Sequence, residues 1–208
     1  MLKLHDYVLS GSCYKVRLLL ALLKLHYERV PVDFYPGRQH KSPDYLALNP
    51  LGQIPILEDG DLVLRDAQAI LAHLANAYDP AGTWLPRDKA RFGPIMMWLS
   101  FAGGELMALS AARMHDMLGY DLDVDAARIK GRAALRLLDD HLADRGLEGA
   151  DWIIGASPTI ADIACFPYVA LSHDCGIGHE DYPAINLWQR RVRKLPGFVS
   201  MPGIPDYF

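Results

Sequence analysis

Apolar positions change period along this chain, and the changes mark out its elements. Leu2, Leu4, Tyr7 and Val8 are mixed with polar residues without clean alternation, and residues 2–8 read as a strand. The loop Ser10-Gly11-Ser12-Cys13 follows. Val16, Leu19, Leu20 and Leu23 then mark one face of a helix, and further apolar residues around it imply cover on more than one side. Val30 and Val32 make a second strand ending near Asp33, so the strand–helix–strand unit should close as a right-handed parallel crossover. Pro36, Gly37 and Pro43 break the next segment, and residues 45–48 form at most a short helix.

From Leu48 to Ala75 the pattern is turn, strand, tight turn, strand, helix. Asn49, Pro50 and Gly52 punctuate a loop; Ile54, Ile56 and Leu57 form a short apolar strand with Pro55 inside it. A proline cannot donate to a central ladder, which points to an edge, a bulge or a cis bond, and we expect Ile54-Pro55 to be cis. Asp59-Gly60 is a hairpin signal leading to Leu62 and Leu64. Asp66 stands at the start of a helix carried by Ile70, Leu71 and Leu74. The predicted order is β-α-β-α-β-β-α, which is thioredoxin-like.

Asp79, Pro80, Gly82 and Pro86 cluster as a linker, dividing an α/β domain at 1–78 from an all-helical domain at 87–208. Phe92, Ile95, Met96, Leu99 and Leu106 predict a long helix with a bend at Gly103-Gly104, and residues 120–125 are a polar break. Ile129, Leu135, Leu138 and Leu142 mark another helix, ended by Gly146 and Gly149. Thr159 opens the next, and Pro183 opens one that ends by Pro196. The tail, with Pro196, Pro202 and Pro205, should be irregular and lie back over the body.

Composition narrows the function. A chain of 208 residues with a net charge of −4 and no basic stripe or tail argues against a nucleic-acid partner. We expect no membrane-spanning helix, because no run of 18 apolar residues is present. The first ten residues lack the pattern of a secretory signal. Three irregularly spaced cysteines, Cys13, Cys165 and Cys175, suit a reducing cytoplasm better than a disulfide scaffold.

The central stretch has a chemistry of its own. A cis bond before Pro55 would turn the backbone groups of Ile54 outward, where an extended peptide-like ligand could pair with them as an added strand. The following helix start would offer free N–H groups to a carboxylate. The stretch therefore reads as a seat for a small peptide bearing a carboxylate.

The sequence LNPLGQIPILEDG followed by an acidic helix start resembles the glutathione transferase family, in its bacterial-type, serine-type cytosolic form. SGSCYKVRLLLALL near the N-terminus and SPTIADIA near residue 160 strengthen the resemblance, in the family's order and spacing. It implies a thioredoxin-like domain with a mixed four-stranded sheet that binds glutathione as cosubstrate. It also implies an all-helical domain for a small apolar electrophile, a detoxifying conjugation, and a homodimer.

The family also suggests site residues. A free thiol is mostly protonated at neutral pH, so a hydroxyl donor near a helix N-terminus would stabilise the thiolate. Ser10 matches the family's serine, six residues before Val16; Ser12 and Cys13 compete with it. Cys13 would suit a mixed-disulfide mechanism, and a purely structural reading makes Ser12 the N-cap of the first helix. Gln53 and Ile54 match the glutathione-contacting pair, Ile54 acting through its backbone. His40 and Lys41 match positions that hold the glycyl carboxylate, and Asp66 matches the acidic residue at the γ-glutamyl end.

At the next position the family has a serine that holds the γ-glutamyl carboxylate; here it is Ala67, which leaves only the backbone N–H. The missing charge-assisted hydrogen bond is worth roughly 1.5–3 kcal/mol, with Gln68 as possible compensation. Met107, Met114, Met117 and His115 would line the electrophile pocket.

Thr159 and Asp162 form a capping box with Asp in place of Glu, a structural element. Cys165, His173, Asp174, Cys175 and His179 match no standard zinc spacing, and we expect no metal. Two rivals to conjugation remain. One is a glutathione-dependent thiol–disulfide oxidoreductase, favoured by Cys13; the other is a non-catalytic binding protein on the same fold, favoured by Ala67.

Overall fold

The structure, a computed structural model, describes residues 1–204. Its first part is a four-stranded sheet in the order β2-β1-β3-β4, formed by β1 (Leu2–Asp6), β2 (Tyr27–Pro31), β3 (Ile56–Asp59) and β4 (Leu62–Leu64). β1 pairs parallel with β2 and antiparallel with β3, which pairs antiparallel with β4. The parallel pair is joined through α1 (Gly11–Leu22), as the crossover pattern predicts. A 3₁₀ turn at Gln39–Lys41, a short α2 (Pro43–Leu48) and α3 (Ala67–Tyr78) complete this thioredoxin-like unit.

Several boundaries differ from the predicted ones. β1 stops at Asp6 because Tyr7 enters a turn, its carbonyl accepting the Ser10 N–H at 2.9 Å. β2 ends before Val32. Pro55 stands just before β3 instead of inside it, so the ladder begins at Ile56 and Ile54 remains outside. The Ile54-Pro55 bond is cis, and so is Tyr35-Pro36.

The remainder is helical: α4 (Lys89–Gly103), α5 (Met107–Leu118), α6 (Val124–Leu147), α7 (Ile160–Ala170), a 3₁₀ turn at Ser172–Cys175, and α8 (Pro183–Arg193). The predicted bend is a break: Gly104 ends α4, donating to the Ser100 carbonyl, and α5 restarts after Leu106. Residues 89–118 are long and apolar enough to cross a membrane by length and composition alone, but half of the most apolar window is buried inside the fold. They read as core helices. Gly146 lies within α6, and Gly149, with φ near +74°, follows its end.

α7 is the hub. Every one of its residues is buried, and α1, α3, α4, α5 and α8 all pack on it. The Thr159 hydroxyl accepts from the Ala161 N–H, while Asp162 Oδ2 accepts from the Thr159 N–H at 2.9 Å, completing the capping box. Asp162 Oδ1 also accepts from the Ile153 N–H and from Trp188 Nε1. The tail returns over the body: the Tyr14 hydroxyl donates to the Val199 carbonyl at 2.6 Å, and Met201 and Ile204 are buried. Pro205 lies outside the described residues.

Candidate active site

A cleft of about 410 Å³ opens between the sheet unit and the α4–α5 face, within the size range of small-ligand sites. Ser10, Ser12, His40, Lys41, Gln53, Ile54, Asp66, Ala67, Met107 and Met114 all line it. Two predicted residues do not. These are Cys13 and His115, which helical phase turns away from it.

The loop between β1 and α1 supplies the hydroxyls. Ser10 has extended backbone angles, and its Oγ accepts the Cys13 N–H at 3.2 Å, which makes Ser10 the N-cap of α1. The structural role expected of Ser12 thus falls to Ser10. Capping uses a lone pair of Oγ and leaves the hydroxyl hydrogen free to donate into the cleft. Ser12 Oγ lies 2.8 Å from the Tyr168 hydroxyl.

Cys13 points the other way. Its side chain is fully buried, its thiol faces the His5 carbonyl, and burial pushes the thiol up to about 12. Of the three candidates in this loop, Cys13 is therefore the one that does not face the cleft. The signal was available: Cys13, Val16 and Leu20 share one stripe of the helix, and all three are buried.

The second wall comes from the loop before β3 and from the start of α3. Tyr45 Oη and Asn49 Nδ2 donate to the Gln53 carbonyl at 3.1 and 2.7 Å, which fixes the chain before Ile54. The Ile54 side chain packs on Val32, Tyr45 and Ile56. Lys41 Nζ donates to the Leu51 and Gly52 carbonyls, tying its own loop to this one. His40 is buried and stacked on Phe34, with ring centroids 4.1 Å apart. Burial, with Lys41 and Arg38 beside it, lowers the His40 pKa, and its Nδ1 has no hydrogen-bond partner among the described residues. Asp66 caps α3, accepting the Ala69 N–H at 2.8 Å, and Ala67 is the buried first residue of that helix.

The third wall is a stripe of α5. Met107, Ser110, Met114 and Met117 recur every three or four residues, Arg113 stands three after Ser110 and four before Met117, and all five line the cleft. His115, one step past Met114, is turned about a hundred degrees away. It hydrogen-bonds Asp116 and lies outside the lining, which corrects its assignment to the pocket. Sequence reasoning missed Arg113 and Tyr168. Arg113 was legible from the methionine stripe it shares; for Tyr168 no local signal exists.

Cys165 and Cys175 are buried thiols facing the carbonyls of Trp98 and Ser172, and His179 bonds Ser172 and the Val169 carbonyl. They belong to the packing of the helical part.

The comparisons agree with this layout. The chain matches the glutathione S-transferase N-terminal domain over residues 1–76 and the glutathione S-transferase C-terminal domain over residues 121–191. A maleylacetoacetate isomerase of Pseudomonas aeruginosa is 31% identical over 205 residues, covering 93% of this chain and 90% of that protein. The disulfide-bond oxidoreductase YfcG of Escherichia coli is 27% identical over 190 residues, covering 88% and 86%. A solved structure of a possible glutathione S-transferase from Rhodopseudomonas palustris aligns with a TM-score of 0.84 at 32% identity, over 100% of this chain and 98% of that one. This chain belongs to the glutathione S-transferase family.

Proposed function

We propose that this protein conjugates glutathione to a small apolar electrophile, with Ser10 as the residue that stabilises the thiolate. The observation that carries the reading is the shared cleft. It gathers a capping serine with a free hydroxyl hydrogen, a backbone edge at Ile54 beside β3, and the open N-terminus of α3 at Ala67. A γ-glutamyl tripeptide matches these in order: its α-carboxylate at the α3 N-terminus, its cysteinyl backbone along Ile54, and its glycyl carboxylate near His40 and Lys41. The thiolate attacks the electrophilic carbon, a C–S bond forms, and the leaving group departs with its bonding electrons. Ser10 keeps its proton and donates a hydrogen bond to sulfur throughout.

The α5 stripe of Met107, Met114 and Met117 supplies the apolar side for the electrophile. The reading also places domains at 1–78 and 87–208, a homodimer and a cytoplasmic location, in keeping with three free cysteines. Steady-state conjugation of glutathione to chlorodinitrobenzene tests it. Ser10→Ala should lower kcat by tenfold or more with little change in glutathione affinity, as expected for a donor that acts on developing charge. Full activity in that variant would remove Ser10 from the mechanism.

A further inference from the structure

Tyr168 is a tyrosine of α7, the helical hub, yet it reaches into the cleft and touches the loop that opens α1. Three observations fix it there. Its hydroxyl lies 2.8 Å from Ser12 Oγ. Gly11 makes room for it: a Cβ on Gly11 would stand 2.7 Å from Tyr168 Cε1, closer than real carbon contacts allow, so the small residue in Ser-Gly-Ser admits the ring. The Lys15 ammonium, fully buried in α1, sits 4.8 Å from the ring centroid and steadies its face. Ser110, on the α5 wall, lines the same cleft as Tyr168.

We propose that Tyr168 is a positioning residue for thiol activation: it donates to Ser12 Oγ, so that Ser12 turns its own hydrogen into the cleft as a second hydroxyl donor beside Ser10. This rests on the glutathione reading above. A phenol is a stronger acid than an alkyl hydroxyl, which makes Tyr168 the preferred donor of the pair. The 2.8 Å contact then runs from Tyr168 to Ser12. A thiolate can only accept hydrogen bonds, so a sulfur anion in the cleft selects this direction over the reverse. The helical half thereby sets the polarity of a loop that belongs to the sheet half.

The test is the ultraviolet titration of the glutathione thiolate bound to wild type, Ser12→Ala, Tyr168→Phe and the double variant. Binding of S-methylglutathione, which has no thiol to ionise, is measured alongside. Each single variant should raise the titration midpoint by about 1, the double variant should raise it no further, and S-methylglutathione affinity should stay constant. An unchanged midpoint in Tyr168→Phe, additive single effects, or weakened S-methylglutathione binding in Tyr168→Phe would overturn the proposal alone. A wild type that binds neither glutathione nor S-methylglutathione would overturn the reading of the cleft, and this proposal with it.

Discussion

Arg113 Nη1 donates to the Leu9 carbonyl at 2.8 Å, and Leu9 is the residue immediately before Ser10. The same guanidinium donates through Nε to Asp174 Oδ2 at 2.7 Å. One side chain of α5 therefore ties the serine loop to the 3₁₀ turn after α7. A planar fork with fixed donors suits this bridge; a lysine cannot reproduce it. Arg113→Lys should keep the fold, lose about 1–3 kcal/mol of stability, and lower kcat roughly tenfold because the loop is less well held. Denaturant unfolding and steady-state kinetics on the same preparations check this. Unchanged kcat with lowered stability would reduce Arg113 to a structural tie.

Asp162 accepts four hydrogen bonds from inside the core: Thr159 N–H at 2.9 Å, the Thr159 hydroxyl at 3.4 Å, Ile153 N–H at 3.1 Å and Trp188 Nε1 at 2.9 Å. Thr159 contributes the other half of the box. Thr159→Ala should cost about 0.5–2 kcal/mol, the usual range for a lost N-cap. Asp162→Ala should cost more, on the order of 3–5 kcal/mol, because it strands buried donors of the α6–α7 connection and of α8. Urea unfolding of both variants gives the comparison, and glutathione affinity should not change in Thr159→Ala. Equal costs would mean that the links to Ile153 and Trp188 carry no weight.

The parts of the site that the sequence reveals are those written in local backbone chemistry. Asp66 ahead of an apolar helical stripe, Asp59-Gly60 between two short apolar runs, and Thr159-Ile160-Ala161-Asp162 each specify a cap or turn within four residues, and each stands where it was expected. The serine loop was located, but the assignment of roles within it was not. Which hydroxyl caps α1 depends on the backbone turn at Tyr7, and whether Cys13 faces inward depends on helical phase. The contacts of Tyr168 and Arg113 with the serine loop were invisible for a different reason. Their partners, Ser12 and Leu9, lie more than a hundred residues away, and only the packing of α7 and α5 on the sheet unit brings them together.

Lys15 is wholly buried, and its Nζ has a long hydrogen bond of 3.4 Å to the Ala102 carbonyl. Burial lowers its pKa from 10.5 to about 8, against weaker support from Cys165 and Asp66. Between those values the unfolded chain binds a proton that the folded chain has given up, so this group makes stability rise with pH from about 8 to 10.5. Below pH 8 both states carry the charge, and its burial penalty is present in full. Lys15→Met removes the titration. The stability of wild type relative to Lys15→Met should therefore increase by on the order of 3 kcal/mol across that window. The Cys13 and Cys175 thiols, pushed up to about 12 and about 11, oppose the trend in both proteins and cancel in the difference. Chemical denaturation of both proteins at pH 7, 8, 9 and 10 is the measurement, and a flat difference would show that Lys15 keeps its proton in the folded state throughout, as a hydrated ammonium does.

Ala67 tests how closely the carboxylate seat follows the family pattern. It is the first residue of α3 and lines the cleft, beside Asp66, whose carboxylate is engaged in capping the Ala69 N–H. A ligand carboxylate there meets the positive end of the helix and the Ala67 N–H, but no side-chain hydroxyl. Gln68 is close enough to matter: it lines the same cleft and lies against Gly103, where a Cβ would come within 2.3 Å of its Nε2. That contact holds the Gln68 amide near the ligand but also restricts its reach. Ala67→Ser adds one oxygen at a helix start, a position that tolerates serine, so stability should change little. Binding of glutathione should tighten by up to roughly 1.5–3 kcal/mol, the worth of one hydrogen bond to a charged group. A smaller gain is expected where water or Gln68 already serves the carboxylate. Calorimetric titration of both forms, with Gln68→Ala in each background, separates these cases. A larger serine gain in the Gln68→Ala background identifies Gln68 as the substitute donor. Equal binding in all four proteins would place the γ-glutamyl carboxylate away from α3 and remove the helix N-terminus from the seat.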